Sequence, residues 1–246
     1  MKKQLLILLI LIFQVFNSWS QQIFINEVSV DFAKTVAVWP LMKEMAPEWY
    51  EQQKDHMPKE TISYFNLTGD TARSVYKRIK EADVPRGMWF QPFADENVVY
   101  NDYTNGTTTT QKPIYEETYL LQDTMLKIKW KITADTRSIA GFNCRKAVGF
   151  LFDTVAVFAF YTDEIMISGG PEGIHGLPGL ILGMGIPRLH TTWFATRVSI
   201  SGINMKTIVP AIKGKKTNRA SMLSTINKVM KNWDQWGQKM ILAFLI

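Results

Sequence analysis

From Asn97 to Ile203 the chain keeps returning to a period of two. Asn97–Tyr103, Thr107–Gln122, Met125–Thr133, Asn143–Phe152 and Val155–Thr162 are short runs of alternating or β-branched and aromatic residues. His190–Ile203 resumes the pattern, with Trp193 and Arg197 among its alternating positions. Asn105-Gly106, Gln122-Asp123-Thr124 and Phe152-Asp153-Thr154 separate the runs. A two-residue period sends successive side chains to opposite faces, and turn residues about every ten positions join such runs into an antiparallel meander. Ile23–Phe32 and Thr61–Thr68 read as strands in the same way, while Asp70–Lys80 fits strand or helix.

Two stretches leave this period. Leu41, Met45 and Trp49, with Met42, Ala46 and Tyr50, recur at helical spacing between Pro40, where a helix can begin, and Pro58, past its end. Met222, Ile226, Val229, Met230, Trp233 and Gly237 fall on one helical stripe. The expected fold is mainly β (α+β): a single curved antiparallel sheet, half-barrel or bowl-like, covered by one or two helices. It forms one domain over residues 21–246, with a helical insertion near 40–57 and a basic amphipathic helix near 219–242. A composition that is 46% hydrophobic and 20% charged suits one packed core.

The first twenty residues stand apart. Lys2 and Lys3 precede nine apolar residues, Leu5–Phe13, and Ser18 and Ser20 supply small residues before a break. Basic start, short apolar run and small residues spell a secretory signal, so cleavage is expected near Ser20 and the mature chain is expected in the periplasm or outside the cell. No run approaches the roughly 18 apolar residues of a spanning helix, so a membrane-spanning protein is not expected.

Charge is uneven along the chain. No carboxylate occurs from Ile174 to Trp233, and residues 204–246 carry eight Lys or Arg against Asp234 alone. Such a basic tail suits contact with anionic head groups or glycans, or a solvated helix face. Nucleic acid is not an expected partner of an exported chain.

Gly169–Gly185 holds seven of the fifteen glycines, in Gly-Gly-Pro-Glu-Gly-Ile-His-Gly-Leu-Pro-Gly-Leu-Ile-Leu-Gly-Met-Gly. Glycine here reads as a loop turning sharply into a packed strand. A phosphate cradle is excluded, because neither Gly-x-x-x-x-Gly-Lys-Ser/Thr nor a helix-opening Gly-x-Gly-x-x-Gly is present. Gly176-Leu177-Pro178-Gly179-Leu180-Ile181 resembles the hexapeptide that names the GLPGLI family of secreted Bacteroidota proteins. Ile139–Ala147 is similar to that family's Ile-x-Gly-Tyr-x-Cys-x-Lys-Ala element. Phe160–Ile165 is similar to its Trp-Tyr-Thr-x-x-Ile element, and Gly170-Pro171 precedes the hexapeptide as in the family. The resemblance covers roughly residues 125–200. It implies an exported, β-rich protein without an assigned activity, similar to bowl-shaped envelope domains and often encoded near outer-membrane receptors. Gly170, Pro171, Gly176, Leu177, Pro178, Gly179, Leu180 and Ile181 are then the motif residues, structural or partner-facing.

Catalytic patterns are missing from the sequence. There is no Gly-x-Ser-x-Gly and no His-Glu-x-x-His, and only His56, His175 and His190 could act as an imidazole base. Cys144 sits in an alternating strand, the setting of a small buried residue. Glu116-Glu117 and Asp163-Glu164 are consecutive, so in strands they face opposite ways. His175 and His190 flank the glycine-rich strand, near Asp163, Glu164 and Glu172 in sequence, and are the candidate ligands for a transition metal. Trp89, Phe90, Phe93, Tyr100, Tyr103 and Tyr115 could line a sugar platform or an apolar bowl. The reading reached from sequence is a non-enzymatic envelope binding or accessory protein with no cofactor. Its expected partner is an outer-membrane receptor or other envelope protein, or a lipid or glycan ligand. The alternatives are a metal-binding accessory protein using His175 and His190, a glycan-binding module, and an enzyme whose catalytic group forms no recognisable sequence pattern.

Overall fold

The computed structural model describes residues 25–81, 94–114, 116–230 and 241–246. Its twelve strands are β1 (Glu27–Ala37), β2 (Glu60–Asp70), β3 (Arg73–Lys80), β4 (Val98–Asp102), β5 (Thr107–Ile114), β6 (Glu117–Thr124), β7 (Lys131–Ile139), β8 (Phe142–Leu151), β9 (Val155–Thr162), β10 (Leu180–Ile186), β11 (Thr191–Ser199) and β12 (Lys215–Thr217). They form one sheet in the order β12-β6-β5-β4-β3-β2-β1-β11-β10-β9-β8-β7. Neighbours are antiparallel except for the short β12, which lies parallel to β6, so the sheet is mixed rather than wholly antiparallel. The end strands β12 and β7 do not pair, and the sheet stays open.

Core packing shows that the sheet is curved. Val99 of β4 and Leu151 of β8 line the same small cavity. Their strands are seven steps apart in the sheet, which laid flat at about 4.8 Å per step would separate them by roughly 34 Å. The inner face is built by alternation. Val28, Val30, Phe32 and Val36 of β1 point inward, as do Phe65, Leu67, Tyr76, Tyr161, Met184 and Trp193 of neighbouring strands. The opposite phase carries polar groups: Arg197 donates through Nε and Nη2 to Asp31 Oδ2 at 3.0 and 2.6 Å, and Asn66 Nδ2 donates to Asp31 Oδ1 at 2.7 Å.

Helices close the ends of this curved sheet. Between β1 and β2 the chain forms α1 (Val38–Met45) and α2 (Pro47–Gln53), followed by a 3-10 turn at Lys54–His56. Leu41, Met42, Met45, Tyr50 and Met57 pack with Val36 and Val38 into a small satellite core. After β12, α3 (Arg219–Met230) lays Met222, Ile226 and Met230 on Ile114 and Leu121. Residues 241–245 are again helical, and Leu242, Ala243 and Ile246 join the main core. No helix among the described residues is long and apolar enough to cross a membrane.

Several expectations change in detail. Asp70–Lys80 resolves as the end of β2 and the whole of β3. Residues 125–130 are not a strand: their backbone leaves the sheet while Ile128 and Trp130 pack over Gly149, and pairing resumes at Lys131. His190 is not a strand residue either; at φ +49° it closes a 3-10 turn ahead of β11. The secretory segment 1–20, the aromatic residues Trp89, Phe90, Phe93 and Tyr115, and the stripe residues Trp233 and Gly237 lie outside the described residues.

Phe65 is fully buried and stacks on Tyr76 with ring centroids 4.9 Å apart and planes 3° from parallel. Phe65→Ala is expected to lower the unfolding free energy in a urea titration by about 3–5 kcal/mol. Ile212→Ala, at a side chain 83% exposed, is expected to change it by less than about 0.5 kcal/mol.

Candidate functional site: a polar chamber under the glycine-rich loop

The segment between β9 and β10 folds back over the inner face, fixed by its own backbone. Ile25 N donates to Glu164 O at 3.1 Å and Met166 N to Ile25 O at 2.9 Å, tying the loop to the start of the described chain. Ile181 N donates to Gly169 O at 2.9 Å, Gly179 N to Leu177 O at 2.8 Å, and Ser168 Oγ to Leu177 O at 2.9 Å. Trp130 Nε1 donates to His175 O at 2.9 Å. Pro171–Gly173 makes a 3-10 turn in which Glu172 takes a left-handed conformation, φ +53° and ψ +22°. Such a backbone costs a non-glycine residue about 1–3 kcal/mol unless its surroundings hold it. What holds it is the destination of its side chain.

Glu172 enters the interior with its carboxylate fully enclosed. Oε1 accepts from Trp193 Nε1 at 3.3 Å and lies 3.7 Å from Lys34 Nζ. Lys34 stands opposite Trp193 across the β1–β11 pairing, and its ammonium lies over the rings of Phe65 and Trp193 at 5.3 and 5.7 Å. Asp95 approaches the same ammonium at 3.9 Å, an ion-pair distance too long for a hydrogen bond. Arg78 Nη1 donates to the other Asp95 oxygen at 3.1 Å. Burial pushes the Lys34 pKa down, and Glu172 and Asp95 push it back up. Tyr76 stands beside Glu172 and Asp95, and burial holds its phenol protonated well above the usual range.

Next to this cluster is a cavity of about 40 Å³ lined by Asn101, Thr110, Lys112, Glu172, Leu245 and Ile246, among others. Lys112 donates to the Ile246 carbonyl oxygen, which also accepts from Asn97 Nδ2 at 3.1 Å. Burial pushes the Lys112 ammonium down to about 8. Two residues that line the cavity carry buried oxygens with no hydrogen-bond partner, Glu172 Oε2 and Asn101 Oδ1; Asp95 Oδ1 and the Tyr76 hydroxyl, in the adjoining charge cluster, are unpartnered too. A buried acceptor without a donor costs about 1–3 kcal/mol, so Glu172 Oε2 and Asn101 Oδ1 suit a donor such as water or a small hydroxyl or ammonium group. The space admits one such group. It does not admit a sugar ring or a lipid tail.

The motif residues divide between core and surface. Gly170, Pro171, Leu177, Gly179, Leu180 and Ile181 are buried, while Gly176 and Pro178 are exposed. The hexapeptide is thus the hinge that carries the loop into β10, and it delivers Glu172 without touching the chamber itself. Gly179, at φ +142°, would place a Cβ 2.0 Å from Thr162 O. Gly176, at φ +97°, has only the Trp130 indole nearby, at 3.5 Å.

The histidines do not converge. His190 Nε2 faces Glu44 Oε2 of α1 at 2.8 Å, whereas His175 packs in the loop beside Leu126 and Trp130 with its Nε2 buried and unpartnered and its pKa lowered by burial. Among the described residues no group of three or more His, Cys, Asp or Glu is placed to hold a metal ion. Cys144 is buried, its Sγ 3.7 Å from Phe142 O, and burial pushes its thiol up to about 11, far from a reactive thiolate. Tyr103 is spent on a 2.7 Å hydrogen bond with Ser74.

Lys34, Asp95, Arg78, Tyr76, Asn101 and Lys112 are absent from the sequence-based candidates. Two of them carry a readable signal. Lys34 shares the inward phase of β1 with Val28, Val30, Phe32 and Val36, and Lys112 shares that of β5 with Ile114. A lysine in a strand's buried phase calls for a partner. Nothing local identifies that partner.

Residues 149–183 match a family described as "Protein of unknown function (Porph_ging)". The matched stretch runs from the end of β8 through the loop carrying Glu172 into β10. No curated protein matches the chain. The fold is similar to that of PNGF-II in its C2 crystal form, at TM-score 0.51 and 14% identity over 80% of this chain and 32% of that one. The P21 form of PNGF-II gives 0.48 and 16% over 78% and 32%. An uncharacterised conserved protein from Thermus thermophilus gives 0.39 and 5% over 79% and 91%. The chain spans about a third of the length of PNGF-II, and at this identity the likeness is one of fold.

Gly179→Ala is expected to cost more than about 2 kcal/mol by thermal unfolding, because backbone blocks the new methyl, and Gly176→Ala about 1 kcal/mol. Lys34→Met, which strands Glu172 and leaves Asp95 to Arg78 alone, is expected to cost about 3–5 kcal/mol. Adding Glu172→Gln is expected to restore a large part of that loss, and a double-mutant cycle in urea measures the coupling.

Proposed function

We propose that this is an exported, non-enzymatic accessory protein of the cell envelope, of GLPGLI type over roughly residues 125–200, which works by docking through its outer surface and serves an outer-membrane receptor system. The observation that carries the reading is the filled interior. Side chains occupy the inner face, and the chamber beside Glu172 leaves about 40 Å³. Among the described residues, an interior occupied in this way favours partners met on the exterior. The match over residues 149–183 and the basic, apolar first twenty residues support family and export. That a similar fold makes up about a third of a larger chain supports a modular, accessory role.

A second reading has its own observation. Glu172 Oε2 and Asn101 Oδ1 are buried acceptors without protein donors beside one cavity, which suits a small retained ligand bearing a hydroxyl or ammonium group.

One measurement tests both readings: native and denaturing mass spectrometry on protein taken from its own cells after fractionation. Docking from the envelope predicts a chain lacking residues 1–20, recovered outside the cytoplasm, with equal masses under both conditions. A full-length cytoplasmic chain overturns the export reading. An extra mass lost on denaturation, and lost also from Glu172→Gln, replaces docking by ligand carriage.

A further inference from the structure

The segment that joins β11 to β12 is a polypeptide bridge with an unusual surface. It is ordered by its own hydrogen bonds. Lys206 N donates to Asn204 Oδ1 at 3.2 Å, Thr207 Oγ1 to Asn204 O at 2.8 Å, and Val209 N to Thr207 O at 3.0 Å, around a 3-10 turn at Met205–Thr207. Two points pin it to the protein: Ile208 is 2% exposed, and Gly214 sits against the backbone of Thr118 and Leu120. Between and beside these pins it turns aliphatic side chains to the outside. Ile200 is 54% exposed, Val209 60% and Ile212 83%.

Lys206, Lys213, Lys215 and Lys216 are exposed on the same segment. None of them forms an ion pair among the described residues. The nearest carboxylates in sequence are Glu172 on one side and Asp234 on the other, so no acid within the segment answers them. A single exposed isoleucine needs no explanation. Three exposed aliphatics and four unpaired lysines between residues 200 and 216, held out on an ordered loop, are a different matter.

We propose that residues 200–216 dock the protein on an anionic phospholipid surface, with Val209 and Ile212 entering the head-group layer and the exposed lysines of the segment supplying the attraction to phosphates. Charge complementarity selects this occupant, because each lysine near an anionic leaflet strengthens binding roughly fivefold while an aliphatic side chain beside it gains by leaving water. A nucleic acid or acidic glycan would answer the lysines and leave Ile212 in water. An acidic protein would need an apolar groove shaped to this loop. The proposal deepens the envelope reading above by naming the surface the exterior meets, and it rests on that reading.

The test is sedimentation of the mature chain with vesicles of phosphatidylcholine, alone or with one third phosphatidylglycerol. Binding is expected to the anionic vesicles only, and to weaken strongly as salt rises from about 0.1 to 1 M, where the Debye length contracts from about 10 to 3 Å. Reversing Lys213, Lys215 and Lys216 to Glu is expected to abolish binding, at roughly fivefold for each charge neutralised. Ile212→Ser with Val209→Ser is expected to weaken binding at least tenfold while thermal unfolding stays unchanged, so a misfolded variant cannot imitate the result. Equal partition onto both vesicle types, or no partition by the folded chain, overturns the proposal. So does full binding by the serine variant, which assigns the lysines to a purely ionic patch, or heparin retention without vesicle binding, which assigns them to acidic glycans. These failures leave the envelope reading intact. Recovery of the uncleaved chain from the cytoplasm removes that reading instead.

Discussion

A lysine ammonium in the middle of a sheet's inner face cannot remain charged there alone. Lys34 is 2% exposed and is flanked by the rings of Phe65 and Trp193, so it needs carboxylates brought to it from outside the sheet. Glu172 and Asp95 are those carboxylates, and both arrive on connecting segments rather than on strands. The interior is therefore completed by loops. Removing either acid while leaving the lysine would expose the cost of the buried charge, which is why the pair acts as a fastener between the glycine-rich loop and the sheet.

That fastening explains the form of the loop. Glu172 sits in a left-handed backbone conformation and aims its side chain at Trp193 and Lys34. Behind it, Gly179 lets the chain pass within contact of the Thr162 carbonyl as it enters β10, where Leu180, Ile181 and Leu182 are wholly buried. The hexapeptide is thus a close-packed hinge. Its order follows from backbone proximity, and the chemistry it supports lies ahead of the hinge, in the Pro-Glu-Gly turn.

Interior and exterior divide the work of the molecule. Inside, Lys34 is matched by Glu172 and Asp95, Lys112 is held by the Ile246 carbonyl, and the cavity beside them holds about 40 Å³. Outside, charges on the 200–216 segment are unmatched and apolar side chains are bare. Binding energy is available where groups lack partners, and two such places among the described residues are the chamber beside Glu172 and the exposed segment between β11 and β12.

The sequence by itself determined most of the strands and turns, the helical insertion after β1 and three positions of the C-terminal stripe, Met222, Ile226 and Met230, because each depends on a local period or on the backbone preference of a turn residue; Val229 of the same stripe is 53% exposed. The same local logic recorded the motif glycines. Tertiary structure alone decided the rest. Whether the meander curls, where β12 joins β6 in parallel, and that residues 125–130 leave the sheet all depend on packing between distant segments. The meeting of Lys34 with Glu172, 138 positions apart in the chain, is of this kind, as is the separation of His175 from His190 only 15 apart. Proximity in a curved sheet is set by strand order and register, and no local pattern of residues encodes either.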